Sequence, residues 1–201
     1  MKTIVMDTAN KYLVVALFED GKCIDKIQQE GNRKQSEYAI VCLQELLEKH
    51  QLQILDFDEM VITIGPGSYT GVRVALTIAK TIAATSSIKI KTVSSLKALA
   101  GMEQAIAILD ARSHKLFIGV YDHGQTVEAD HMIAADQLDE YIKKYQGFSL
   151  TGDLSLIGQN ENTPDLAKQI YELSRLEDYI EDTDNLVPEY IKDVEAKKLC
   201  Q

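Results

Sequence analysis

Cysteine is scarce in this sequence and odd in number: Cys23, Cys42 and Cys200. No two of them have the spacing of a metal-ligating or redox pair, and buried or idle thiols in a reducing compartment are expected. Long apolar runs are also missing. The longest, residues 12–18, is far short of the roughly 20 residues that span a bilayer. A single lysine precedes strand-like residues at the start, with no apolar leader core, so the expected location is cytoplasmic, without a membrane. Basic residues are in deficit, 21 Lys and Arg against 31 Asp and Glu, a net charge of −10. Neutralising phosphate needs Lys and Arg, so the chain is a poor lone binder of nucleic acid, and RNA would have to be reached through a partner. Catalytic candidates are thin. His50, His114, His123 and His131 do not pair at metal-ligand spacing on one helix face, and no serine sits in a nucleophile elbow.

What is present suits a globular chain of 201 residues, 45% hydrophobic and 26% charged, long enough to bury a core unaided. Residues 3–8 read as a strand ending on Asp7. Residues 12–18 and 23–28 read as two more, joined by a turn at Asp20-Gly21 of type I′ chemistry. Asn32 with Gln35 resembles a capping box, and a helix is expected to about His50. The pattern then restarts. Residues 7–26 lie over 110–129 without a gap, Asp7 on Asp110, Val15 on Ile118, Phe18 on Tyr121 and Gly21 on Gly124. This is an internal duplication of a three-strand meander. The second copy fails after about residue 151, where a polar, turn-like segment replaces what the first copy has next. The chain thus divides into two related α/β units, residues 1–101 and a shortened 102–201.

What the first copy has next is the stretch 60–84. A short apolar strand breaks at Gly65-Pro66-Gly67, restarts at Ser68-Tyr69-Thr70-Gly71, and runs through Arg73 into a long helix. Strand, glycine turn, helix is a layout that aims backbone N–H groups at an anion. No Lys-Ser/Thr follows, so it is not a Walker A loop, and the glycine spacing is not that of a dinucleotide fingerprint. Two readings stand level: a nest that binds an anion or partner segment with Ser68, Thr70 and Arg73, and a tight turn holding a helix close to a sheet. The helix itself is apolar nearly all round, with a ridge of small residues at Ala75, Ala79 and Ala83, whereas a surface helix needs one apolar stripe. The helix 35–50 has the same surplus. Together they predict a partner interface carried by Tyr38, Val41, Cys42, Val72, Ala75, Leu76, Ala79, Ile82 and Ala83, the alternative being that the second half buries both helices inside the chain.

A meander followed by helix, strand and helix resembles the ribonuclease-H-like unit, and two in tandem resemble the fold of actin, sugar kinases and Hsp70 chaperones. In those proteins strand-end aspartates face a cleft that holds ATP. Asp7, Asp110 and Arg112 are therefore the candidates for a degenerate nucleotide cleft. The hairpin turns, Thr8-Ala9-Asn10 and Ala111-Arg112-Ser113, lack the glycines that let backbone approach phosphate, so no cofactor is expected.

The run Gly65-Pro66-Gly67-Ser68-Tyr69-Thr70-Gly71-Val72-Arg73 resembles the signature of the TsaB family, also called YeaZ. The opening Ile4-Val5-Met6-Asp7-Thr8-Ala9 and Leu109-Asp110-Ala111-Arg112 resemble it too. The chain departs from the pattern at Gln35, where the family often has histidine, and at Lys192, where its Pro-x-Tyr-aliphatic-Arg ending has arginine. The resemblance implies a non-catalytic scaffold subunit. It would pair with the catalytic paralogue TsaD and the ATPase TsaE in threonylcarbamoylation of tRNA adenosine 37, form a homodimer when alone, and meet tRNA only through the complex. The paralogue's helical His-x-x-x-His metal pair would fall on Ser95 and Leu99 here, and leucine cannot bind a metal, so no metal is expected. The alternative is an ATPase or metal-dependent glycoprotease-like enzyme using the cleft between the halves.

Overall fold

The computed structural model describes residues 1–31, 35–160 and 164–191, with 35 and 36 as backbone only. The cap expected from Asn32 and the Gln35 side chain, and Lys192, lie outside the described residues. The first half forms β1 (Lys2–Asp7), β2 (Tyr12–Glu19), β3 (Lys22–Glu30), α1 (Gln35–Lys49), β4 (Glu59–Thr63), α2 (Tyr69–Thr85), β5 (Lys89–Val93) and α3 (Ser95–Ala100). The second forms β6 (Ala105–Arg112), β7 (Lys115–Asp122), β8 (Gln125–Ala134), α4 (Leu138–Lys144), β9 (Ser149–Gly152) and α5 (Leu166–Ser174).

The sheets run β3-β2-β1-β4-β5 and β8-β7-β6-β9. Each begins with an antiparallel meander and continues with a parallel strand, β1 beside β4 with Val5 opposite Val61, and β6 beside β9 with Ile106 opposite Leu150. This is a tandem ribonuclease-H-like duplication with a shortened second copy. The repeated hairpin turns agree in backbone as well as sequence, Asp20 and Gly21 at φ 46° and 84°, His123 and Gly124 at φ 49° and 76°. The second sheet stops at β9 because the chain turns away at Gly152, whose φ is 104° and whose Cβ, if it had one, would lie 2.0 Å from the Ile108 carbonyl oxygen.

Three apolar clusters define the layers. On one side of the first sheet, Ile4, Leu13 and Ile62 pack with Leu43 and Leu46 of α1 and Ala75 and Ala79 of α2. On the other side, Val5, Val14 and Phe18 meet Leu96 of α3, Ile170 of α5 and Ala107 of β6. Beyond the second sheet, Ile108 and Ile118 pack under Leu138 of α4 and Leu154. The order is helices, sheet, helices, sheet, helix. The two middle helices are exchanged: α3 from the first half lies on β6 and β7, and α5 from the second lies on β1, β2, β4 and β5. Tyr171 of α5 stacks on Phe18 of β2 at 4.2 Å.

After α5 the chain returns across the first half. Arg175 and Tyr179 bond to the fully buried Glu59 of β4, Tyr179 at 2.9 Å. Ile180 N donates to the Ile90 carbonyl (2.9 Å), Lys80 Nζ of α2 donates to the carbonyls of Asp184 (2.6 Å) and Leu186 (3.2 Å), and Glu189 N donates to the Ile64 carbonyl (2.8 Å). Ile180 and Leu186 join the α1–α2 core. Nothing in the periodicity of this acidic stretch announces that role. Its signal is Ile180 and Leu186 set among charges.

Candidate functional site: a cleft and a helix face

The loop before α2 is held by its surroundings. Ser68 caps the helix, its Oγ accepting from Gly71 N at 3.3 Å. Ser68 N donates to the Ala9 carbonyl at 2.6 Å, and Thr8 Oγ1 donates to the Gly71 carbonyl at 2.5 Å. A Cβ on Gly67 would lie 2.3 Å from the Ala9 oxygen, and one on Gly71 1.8 Å from the Thr8 oxygen. Both glycines are there so that the loop can press against the β1–β2 turn. Of the two readings left level by the sequence, this packing supports the tight turn. A carbonyl occupies the Ser68 N–H that a phosphate would need.

Asp7 organises that turn from beneath. Its Oδ1 accepts from Ala9 N (2.7 Å) and Thr63 Oγ1 (2.5 Å), its Oδ2 from Asn10 Nδ2 (2.9 Å), and it has no exposed surface. Burial pushes its carboxyl above the ordinary value, against the pull of those three hydrogen bonds. Asp7 therefore does not reach the cleft. Asp110 makes the same bond, its Oδ1 accepting from Arg112 N at 2.7 Å, and is exposed.

Asp110 and Arg112 do line a cleft of about 730 Å³ between the halves, together with Lys11, Pro66–Thr70, Phe117, Asp153 and Pro188–Ile191. At its rim the Arg73 guanidinium lies 3.7 Å from the centre of the Tyr69 ring, and Arg73 Nε donates to Tyr190 Oη at 2.8 Å. The loop, the second hairpin turn and the Pro188 segment thus converge on one place. Ser95 and Leu99 lie on α3 and are buried in the middle layer. Among the described residues no three His, Cys, Asp or Glu side chains are grouped as a metal site would require.

The helix face differs from the expectation. Cys42, Val72, Ala75, Leu76 and Ala79 are buried within the chain, Ala75 and Ala79 completely, and leave little or no surface of their own to present. The surplus on α2 has an internal cause: the sheet lies beneath it, α1 beside it, and residues 180–186 cross it. Ile82 and Ala83 are half-buried, and the open side of α2 carries Arg73, Thr77, Thr81 and Thr85. Tyr38 and Val41 are exposed as expected, and Ile40, absent from the expected set, is the most open of the three: 52%, 45% and 60%. Three large apolar side chains within four residues of one helix mark a surface that water does not favour.

The family model described as "TsaD: tRNA N6-adenosine threonylcarbamoyltransferase" matches residues 28–171. The chain is 31% identical over 154 residues to the tRNA threonylcarbamoyladenosine biosynthesis protein TsaB of Bacillus subtilis (strain 168), covering 72% of this chain and 67% of that one. It belongs to the TsaB family. The TsaB protein of Escherichia coli (strain K12) is 25% identical over 184 residues, 84% of this chain and 76% of that one. The solved structure of YeaZ from Pseudomonas aeruginosa superposes with a TM-score of 0.76 at 17% identity, covering 94% and 99% of the two chains, which shows the shared fold. Among the described residues no helix is long and apolar enough to cross a membrane.

Proposed function

We propose that this chain serves tRNA threonylcarbamoyladenosine synthesis as a non-catalytic subunit that binds a TsaD-type catalytic paralogue, with a TsaE-type ATPase joining them. Membership in a family whose members are named for that pathway supports the pathway. The observation that carries the subunit role is the open row Tyr38, Ile40 and Val41 on α1. The same face serves a homodimer when the paralogue is missing, and tRNA is met through the assembly, in keeping with the charge of −10. Leu99 at one of the paralogue's metal-ligand positions supports the absence of catalysis.

The test is co-purification of the Tyr38→Asp/Val41→Asp variant with the paralogue, read alongside modified tRNA. We expect both to be lost while the thermal unfolding of the isolated chain is unchanged. Full co-purification would remove α1 from the interface. Ala79→Glu is no test of it, because a carboxylate there enters the core. Turnover of Mg-ATP by the isolated chain would overturn the non-catalytic reading in favour of an enzyme in the cleft.

A further inference from the structure

The outer faces of the two sheets are covered unequally. On β4 the outward residues Met60 and Ile62 have no exposed surface, because α2 lies over them and packs Ala75 and Ala79 into the same core. β9 takes the place of β4 in the second sheet: Thr151 lies opposite Ala107 as Val61 lies opposite Val5. Thr151 faces inward, its Oγ1 donating to the Leu99 carbonyl of α3 at 3.3 Å. Leu150 and Gly152 therefore face outward, and both are only half-buried. Among the described residues no counterpart of α2 follows β9. A short 3-10 turn, Leu154–Ile157, comes next, and the helix after it, α5, packs on the first sheet. The helix α4 carries its apolar residues at 138, 141, 142 and 145, the spacing of one inward stripe. On one flank of that stripe Tyr141 (3.2 Å) and Tyr145 bond to Glu128 of β8. Ile142 falls on the other flank, about 100° round the helix from Tyr141, and is 40% exposed. In the turn after β9, Leu154 is buried against the same core and Ile157 half-buried, while Leu156 is 47% exposed. Ile142, Leu150 and Leu156 thus leave apolar surface open on the face that α2 covers in the first half.

We propose that this strip docks an amphipathic helix of a partner protein, laid over β9 as α2 is laid over β4. The first half shows what such a helix has to be. α2 meets its sheet through Ala75 and Ala79, with Val74, Leu76 and Ile78 beside them. The occupant of the second face needs the same ridge of small residues four apart, with larger aliphatics on its flanks, because a bulky ridge would hold it away from Leu150 and Gly152. A helix of that kind is read through residues spaced three and four apart. A second copy of this chain has none to offer, since its own α2 is already packed in its core. The strip also lies at the far end of the layer order from Tyr38, Ile40 and Val41: α1 belongs to the outermost layer of the first half and α4 to that of the second. Filling one surface leaves the other free, so the chain can hold two partners at once.

The probe is a labelled synthetic peptide of residues 69–85, the chain's own α2, carrying T77K and T81K on its open side for solubility. It is added to the isolated full chain and followed by fluorescence anisotropy. We expect saturable binding with Kd below about 1 mM. Ile142→Asp/Leu156→Asp should weaken it at least about tenfold with the thermal unfolding of the chain unchanged, since both side chains are exposed. Should the aspartates lower the unfolding temperature, Ile142→Ser/Leu156→Ser is read in their place. Tyr38→Asp/Val41→Asp should leave the affinity as it is, which separates this surface from the face on α1. A peptide that also carries A79E should bind at least about tenfold more weakly. The proposal is overturned if the parent peptide shows no saturable binding up to about 1 mM, or if the Ile142 and Leu156 variants bind it unchanged. It is equally overturned if the Tyr38 and Val41 variant abolishes binding, or if the A79E peptide binds as well as the parent.

Discussion

Asp7 and Asp110 stand at the same step of a repeated meander and accept the same hydrogen bond from the backbone two residues on. The first has no exposed surface; the second is open. The difference lies in the course of the chain after the fourth strand of each half. After β4 the loop and α2 press onto the Asp7 turn, and Thr63 adds its hydroxyl from below. After β9 the chain turns off at Gly152, and no helix returns over Asp110 among the described residues. One duplication has therefore yielded a sealed turn that fixes the fold and an open one that lines a cleft. Burial of the neighbours, more than the identity of the aspartate, decides which job it does.

The loop glycines break this comparison most severely. Gly71→Ala would place a Cβ 1.8 Å from a main-chain oxygen that cannot yield. We expect it to cost about 3 kcal/mol or more, or to prevent folding. Gly158→Ala, in the stretch beyond the turn-off in the second copy, meets nothing within 4 Å and has only its φ of 70° against it, a cost of about 1–2 kcal/mol. Urea midpoints at constant slope read both. Equal losses would mean that the seal over the first turn is not what distinguishes the halves.

The aspartates come next. Asp7→Ala strips the acceptor from the buried Ala9 N–H and Thr63 hydroxyl and should cost about 3 kcal/mol, whereas Asp110→Ala should stay within about 0.5 kcal/mol. The proton tells the same story. Folding raises the Asp7 pKa above 3.8, so the folded chain holds that proton more tightly than the unfolded one. Its contribution is full below pH 3.8 and is lost as pH rises through the folded value. Asp7→Asn cannot titrate, so its stability relative to the parent should improve as pH is raised from about 4 to 7. A difference independent of pH would show that Asp7 keeps its ordinary pKa.

Much of this was legible from residues. The meanders, the glycine turns and the duplication follow from alternation and from repeated Asp and Gly, because short-range chemistry sets them. The interface was read less well. Apolar surplus on α2 shows that the helix is covered but does not show by what. Its cover comes partly from residues 180–186, about a hundred positions away, through backbone bonds such as Ile180 N to the Ile90 carbonyl that no side chain encodes. Ala75 and Ala79 therefore look partner-facing in the sequence, while in the structure they are packed in the core. Ile40 sits in the unbroken apolar run from Tyr38 to Leu43, where sequence does not separate the outward residues from the buried Ala39, Cys42 and Leu43. The convergence of the loop, the Arg112 turn and the Pro188 segment on one cleft is a product of the exchanged helices, and no local pattern contains it.

The smallest expected effect concerns a pair in which the halves agree. The gapless alignment sets Asp25 on Glu128, and each carboxylate ties the third strand of its meander to the next helix. Asp25 Oδ2 accepts from Lys49 Nζ at 2.6 Å and meets His50 Nε2 at 2.8 Å, at the end of α1. Glu128 is bonded by Tyr141 (3.2 Å), Lys144 (2.8 Å) and Tyr145 of the α4 region. The bonds from Lys49 and His50 hold the Asp25 carboxyl down at about 2. A lowered folded pKa gives stability that is present above the unfolded value of 3.8 and lost as pH falls through about 2. Both groups are near solvent, so screening keeps each effect small. Asp25→Asn and Glu128→Gln should each cost less than about 1 kcal/mol at pH 7. The cost of Asp25→Asn should vanish toward pH 2 and shrink in about 1 M salt. Should one of the two cost several times the other, the tie they share would be an accident of alignment, and the halves would differ in how their helices are anchored as well as in how their turns are sealed.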